Sequence, residues 1–165
     1  MQTKQDLEDW YQIPDRWQYF QSDEDKMRKE KFMELLSLGK KQYTNALDIG
    51  CGECFITRDL PSENIFGIEL SDTASSRFPP NVTRLHQPRC DTSYDLVVST
   101  GTLYPQYDHK LIYGFILEAS SEYILISGIK EWLIEYNYNA DIVERIEFKY
   151  LNYTQQATLY KLKSY

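Results

Sequence analysis

Two acids and two glycines carry the clearest chemistry in this sequence. Asp48 sits near the end of a short apolar run that leads into Gly50-Cys51-Gly52. Nineteen positions after Gly50, a second apolar run, Ile65-Phe-Gly-Ile68, ends in Glu69. Paired glycines after a strand let the backbone come close to a ligand. An acid ending the next strand can accept hydrogen bonds from both hydroxyls of a ribose. In an α/β fold this pattern makes a pocket for a nucleotide-like ligand.

Other residues offer other chemistry. Cys51-Gly-Glu-Cys54 is a C-x-x-C, and a helix N-terminus there would lower a thiol pKa, so a redox dithiol is physically reasonable. Zinc would need two further ligands from Cys90, His86 and His109, whose spacing fits no zinc signature, so no metal is expected. Downstream, Thr100-Gly-Thr-Leu-Tyr-Pro105 offers a glycine for close approach, followed by Tyr107, Asp108 and His109. Histidine suits proton transfer near neutral pH, which makes His109, with Tyr104, the candidate for catalysis. The competing readings are a surface position for His109, a helix cap for Asp108, and no catalytic side chain at all.

These residues must be positioned by alternating strands and helices. Apolar runs at 46–49, 65–69, 82–85, 95–99 and 123–127 read as strands. They are nearly continuous, as parallel strands covered on both faces require. Residues 143–150 alternate strictly and 156–162 read as a partner strand, with a turn at 151–154: an antiparallel hairpin closing the sheet. Ser22 followed by three acids starts a helix to Leu38, stopped by Gly39, with Met27, Phe32, Leu35 and Leu36 as its buried stripe. A short helix is expected at 55–60 and a short helical or irregular piece at 73–78. A further helix starts at Asp108 and runs to 119, with Leu111, Ile112, Phe115 and Ile116 inward. Before all of these, residues 1–21 cluster Trp10, Tyr11, Trp17, Tyr19 and Phe20 around Pro14. So many rings ahead of the core suggest a segment that packs over the sheet end. Trp17 and Tyr19 are its best candidates for ligand contact, and Lys130 and Trp132 could line the same pocket.

Composition narrows the class of protein. The chain has 165 residues, 42% of them apolar and 26% charged, which suits one globular domain: residues 1–40 as lid and helix, 41–165 as core. Its net charge is -7, with no basic cluster free of acids, which argues against nucleic acid and anionic lipid as partners. No apolar run approaches the ~18 residues of a membrane span. Residues 1–9 are polar and lack the apolar centre of a signal peptide, so a cytoplasmic location is expected. Three cysteines make no disulfide framework. Fourteen tyrosines suit a partly wet aromatic pocket. No feature specifies an oligomeric state.

From about residue 10 to the end, the chain resembles the class I S-adenosylmethionine-dependent methyltransferases. Leu47-Asp-Ile-Gly-Cys-Gly-Glu53 is similar to that family's first motif, and Glu69 falls where the family holds the ribose. Tyr94-Asp-Leu-Val-Val-Ser-Thr100 resembles the fourth-strand motif, whose end lies beneath the methionine moiety. Pro14-Asp-Arg-Trp17 with its following helix resembles, more weakly, the nodulation-type N-methyltransferases of small molecules. The resemblance implies a Rossmann-like fold with a seven-stranded, mostly parallel sheet, a C-terminal antiparallel hairpin and helices on both faces. It implies S-adenosyl-L-methionine as cofactor and S-adenosyl-L-homocysteine as product. The implied cofactor residues are Asp48, Gly50, Cys51, Gly52, Glu69, Leu70, Thr100 and Gly101, with Trp17 and Tyr19 from the lid. The implied reaction moves a methyl group to an N or O nucleophile of a small molecule such as a sugar or other metabolite. Two departures stand out. Cys54 replaces the family's third glycine. The loop His86-Gln-Pro-Arg-Cys-Asp91 lacks the usual acid for the adenine amino group, for which Gln87 is the first substitute and Asp91 the second. These departures keep open a non-catalytic binding or assembly module on this fold; a methyltransferase of protein or RNA is a further alternative, with the acidic charge against RNA.

Overall fold

The computed structural model describes residues 1–164. Seven strands form one sheet in the order β3-β2-β1-β4-β5-β7-β6. The strands are β1 (Tyr43–Ile49), β2 (Ser62–Ile68), β3 (Val82–Leu85), β4 (Tyr94–Thr100), β5 (Ser120–Ile129), β6 (Ala140–Tyr150) and β7 (Tyr153–Leu162). The first five are parallel; β7 runs antiparallel between β5 and β6. This is the Rossmann-like sheet with a terminal antiparallel hairpin that the resemblance implies. The strand order reverses between β1 and β4, so the loops leaving those two strands diverge and open a crevice at the sheet's C-terminal edge.

Two helices cover the sheet. Helix α2 (Asp23–Ser37) packs on one face, where Phe32, Leu35 and Leu36 meet Ala46, Leu96, Val98, Leu125 and Leu159. Helix α4 (His109–Ala119) covers the other, where Ile116 and Ala119 meet Leu47, Val97, Ile124 and Ile126. Alternate residues of each central strand thus feed two cores, the period of two that strands impose. Pieces α1 (Lys4–Trp10) and α3 (Asp72–Ser75) are short.

Several elements differ from the sequence reading for identifiable reasons. The helix expected at 55–60 is a three-residue 3-10 turn, Thr57–Asp59. Pro61 forces Leu60 into an extended conformation (ψ 135°), which ends any helix. Met27 is 39% exposed rather than buried, because the inward stripe of α2 is Asp25, Arg28, Phe32, Leu35 and Leu36. Leu111 is exposed at the cavity rim, and in α4 only Ile116 and Ala119 are fully enclosed. Helix α1 was not anticipated. Its start is a capping box, in which Thr3 accepts from the Asp6 amide while Asp6 accepts from the Thr3 amide.

Candidate functional site

A cavity of about 460 Å³ opens at the sheet's switch point, within the range of small-molecule sites. Its floor is the loop after β1. Gly50 (φ 78°) and Gly52 (φ 56°) both adopt left-handed backbone. A Cβ on Gly50 would strike the Thr102 side chain, and one on Gly52 would come within 2.9 Å of the Tyr11 hydroxyl. The glycines are therefore needed for the turn and for the space around it. The amides of Gly50 and Cys51 donate to the Ile68 carbonyl at 2.8 and 3.2 Å, which ties the loop to the end of β2.

Asp48 and Glu69 flank this floor, both buried. The Thr57 hydroxyl donates to Asp48 Oδ2 at 2.7 Å, while Oδ1 is buried with no partner among the described residues. Burial pushes the Asp48 carboxyl up to about 7, with the nearby Glu69 adding to the rise against the Thr57 bond. An orphaned carboxylate oxygen in a cavity wall suits a cationic donor such as an ammonium. Glu69 accepts from the Gly52 amide through Oε2 (2.9 Å) and from the Ser71 amide through Oε1 (3.0 Å). A carboxylate has about four acceptor sites, so lone pairs remain for two hydroxyls. Burial raises the Glu69 pKa in spite of those amide bonds.

The C-x-x-C lies in the same loop. Cys51 lines the cavity, Cys54 is buried, and their sulfurs are 3.9 Å apart as free thiols. Burial pushes the Cys51 thiol well above its ordinary range. The helix that would have lowered it is only the 3-10 turn, and its charged neighbours are the carboxyls of Asp48 and Glu69. A thiol so placed is a poor nucleophile, which removes the physical basis for the dithiol reading. Cys54 itself has a left-handed backbone (φ 66°), the conformation for which glycine is suited. Among the described residues no group of three or more His, Cys, Asp or Glu is placed to hold a metal ion. No helix among them is long and apolar enough to cross a membrane.

The loop after β4 supplies a second wall. Thr100, Gly101 (φ 67°), Thr102, Tyr104 and Tyr107 line the cavity. The Tyr104 hydroxyl accepts from the Ile129 amide at 2.7 Å, and burial raises its pKa. It is thus a neutral phenol that donates rather than a base. Asp108 caps α4 by accepting from the Leu111 amide, and it also lies on the cavity rim. His109 does not line the cavity; its Nδ1 is 2.6 Å from the Tyr136 hydroxyl, on the side of α4 away from the ligand space.

Residues 2–20 form the roof. Trp17 and Tyr19 line the cavity with Tyr11 and Phe20 of the same ring cluster, joined by Gln2 and Leu7, which the sequence did not single out. Glu53 of the glycine loop fastens this roof: Oε1 accepts from the Asp15 amide (2.9 Å) and Oε2 from Arg77 (3.1 Å), which also donates to the Tyr11 carbonyl (2.7 Å). Glu8 of α1 accepts from the Asp72 and Thr73 amides and caps α3; the Thr73 hydroxyl, those amides and the Ser71 hydroxyl hold its carboxyl down at about 2. Leu70 lines the cavity beside Glu69. Gln87 and Asp91, suggested for adenine, are exposed and outside it; His86 and Arg84 occupy that end instead. Trp132 lines the opposite end, but Lys130 does not; it pairs with Glu147 instead. Arg28, Tyr150 and Gln155 also form that end, and no sequence pattern had pointed to them.

No family model and no curated protein matches this sequence. Solved structures match its fold. N-methyltransferase NodS from Bradyrhizobium japonicum WM9, in complex with S-adenosyl-L-homocysteine, aligns with a TM-score of 0.79 at 15% identity, over 99% of this chain and 100% of that one. Magnesium protoporphyrin IX methyltransferase (ChlM) from Synechocystis PCC 6803 with bound S-adenosylmethionine gives 0.71 at 13% identity, over 97% of each chain. The methyltransferase domain of bacterial CtHen1-C gives 0.64 at 12% identity, over 86% of this chain and 100% of that one. At these identities the likeness is one of fold, and the fold is that of the class I methyltransferases.

Proposed function

We propose that this protein is an S-adenosylmethionine-dependent methyltransferase acting on a small molecule. The observation that carries the proposal is the cradle at the switch point: two left-handed glycines, a buried Glu69 with free lone pairs, and a buried Asp48 oxygen with no partner. The residues fit the cofactor's groups. Glu69 suits the two ribose hydroxyls, the glycine loop leaves room for close backbone approach, and Asp48 suits the ammonium. When bound, the cofactor supplies an activated sulfonium methyl group.

What the chain contributes is alignment and exclusion of water. The aromatic roof and the Tyr104–Tyr107 pair (6.3 Å, stacked) line the cavity. Tyr104 can donate a hydrogen bond to the acceptor but cannot take its proton near pH 7. With His109 turned toward Tyr136, the geometry favours an acceptor that brings its own lone pair, such as a neutral amine, over a hydroxyl that needs a base.

The test is calorimetric titration with S-adenosylmethionine and S-adenosylhomocysteine. Micromolar binding of both, followed by methyl transfer to members of an amine panel, is the expected result. A folded protein that binds neither overturns the proposal in favour of a non-catalytic module.

A further inference from the structure

The far end of the cavity, away from Asp48 and Glu69, holds a cation that the cofactor reading does not use. Arg28 lies on the inward stripe of α2, is 6% exposed, and lines the cavity. Its Nε donates to Asp25 Oδ1 at 3.1 Å, and Nη2 lies 3.0 Å from the same oxygen in an ion pair. That engages one edge of the guanidinium. Nη1 has no partner among the described residues and is not sealed off from the cavity. The rings of Tyr19, Phe32 and Tyr150 surround the guanidinium carbon at 5.0, 5.7 and 5.2 Å and fix its plane.

Asp25 occupies one edge of this cation and leaves the other as a donor edge. Its carboxylate also accepts from the Tyr150 hydroxyl at 2.7 Å and lies in the first turn of α2, where the helix dipole favours an anion. A buried ion pair is costly, and apolar side chains could fill the same volume at least as stably. Its position in a cavity wall is what a structural pair would not need. Beside it, Gln155 of β7 is 2% exposed and lines the same end. Its side-chain amide also has no partner among the described residues, while its neighbours Ala157 and Leu159 on that face serve the core. Two buried polar side chains from different elements thus converge on one space with their donors free.

We propose that this end of the cavity is a carboxylate subsite, where the open edge of Arg28, backed by the Gln155 amide, anchors an anionic acceptor. A planar guanidinium edge matches a carboxylate bidentately, and such charge-assisted pairs are about twice as strong as neutral ones. The aromatic walls, Tyr19, Tyr104, Trp132 and Tyr150, suit a flat body behind the anion. The carboxylate is an anchor, and the methylated atom is a different one, nearer the glycine loop. The proposal rests on the methyl-transfer reading only in naming the anchored molecule as the acceptor.

The experiment titrates benzoate, benzamide and benzylammonium into the full-length protein, with and without saturating S-adenosylhomocysteine, following the fluorescence of the cavity tryptophans. Benzoate should bind at least about tenfold more tightly than benzamide, as one charge-assisted pair predicts. Benzylammonium should be weaker still. Arg28→Gln is combined with Asp25→Asn, so that no unpaired charge is left buried. This double variant should bind benzoate no better than benzamide and should still bind S-adenosylhomocysteine. Gln155→Leu should lose part of the preference. Equal binding of benzoate and benzamide to the wild-type protein, absence of benzoate binding, or a preference that survives the double variant would each overturn the proposal. If the carboxylate preference holds but S-adenosylhomocysteine does not bind, the methyl-transfer reading fails while the subsite stands. The reverse pattern rejects the subsite alone.

Discussion

Asp48→Asn should raise the melting temperature of the ligand-free protein at pH 8. Burial lifts the Asp48 carboxyl from its ordinary value of 3.8 to about 7. Between those values the folded protein holds a proton that the unfolded chain has released. The contribution to stability is fully present below pH 4, falls as pH rises through the interval to 7, and is flat above it. Ionising the group in place costs at most about 4 kcal/mol, since each pH unit of displacement is about 1.4 kcal/mol. At about 2–4 °C per kcal/mol for a chain of this size, the gain at pH 8 is at most roughly 10 °C, reduced by the cost of burying an unpartnered amide where Oδ1 stood. Asparagine keeps an oxygen for the Thr57 hydroxyl and has no charge to bury. Melts from pH 5 to 8.5 should show the wild type losing stability with pH and the variant sloping less. Glu69, also raised by burial, adds a slope of the same sign to both proteins, so the difference between them isolates Asp48. Glu8 and Asp72, each held at about 2, act in the opposite sense: their contribution is present above their ordinary values of 4.5 and 3.8 and is lost below this pH range. With S-adenosylhomocysteine present, an ammonium beside Asp48 requires the ionised form. Affinity should then fall by about tenfold per pH unit below 7 in the wild type. An asparagine variant less stable than wild type at pH 8, or parallel melting profiles, would refute the argument.

Three further substitutions test the site. Glu69→Gln should weaken S-adenosylhomocysteine binding by about 1–3 kcal/mol, because a charged acceptor is lost from the ribose hydroxyls; unchanged affinity in calorimetry would remove Glu69 from that role. Cys54→Gly should leave stability within about 1 kcal/mol of wild type, since relief of a left-handed side chain offsets the lost buried sulfur and the added chain entropy. It should preserve or tighten cofactor binding, and a denaturation midpoint far from wild type would count against the argument. His109→Ala should retain turnover on an amine acceptor, because the ring faces Tyr136 rather than the cavity; abolished turnover in a folded variant would restore it as a base.

The strands of the sheet follow from features that single residues cannot disguise. Five apolar runs in parallel, punctuated by glycine and proline, leave few arrangements, and strand β3 falls at 82–85 as read. The short elements were less legible because neighbours outside each one decide them. Whether residues 55–60 form a helix is settled at Pro61 and by the left-handed Cys54. Whether residues 4–10 do is settled by the box between Thr3 and Asp6, a signal present in the sequence but masked by the polar face around it. The floor of the cavity was legible for the same reason as the sheet: Gly50, Gly52 and Glu69 stand at fixed offsets from strand ends.

The opposite end of the cavity was hidden by the very property that makes it informative. Sequence reading finds a buried face by its apolar period, and α2 places Asp25 and Arg28 where that period demands apolar residues. The stripe is therefore read correctly at Phe32, Leu35 and Leu36 but not in its first turns, where Met27 is assigned inward in place of Asp25 and Arg28. Gln155 does the same in β7, where it precedes Ala157 and Leu159 on one face. A fold tolerates such breaks only where something offsets the desolvation of the polar group. Asp25 and Tyr150 do this for one edge of Arg28, and no hydrogen bond among the described residues does it for the other edge or for the Gln155 amide. The positions where periodicity fails inside a well-packed element are thus the ones whose free donors are left facing the cavity, where a ligand can meet them.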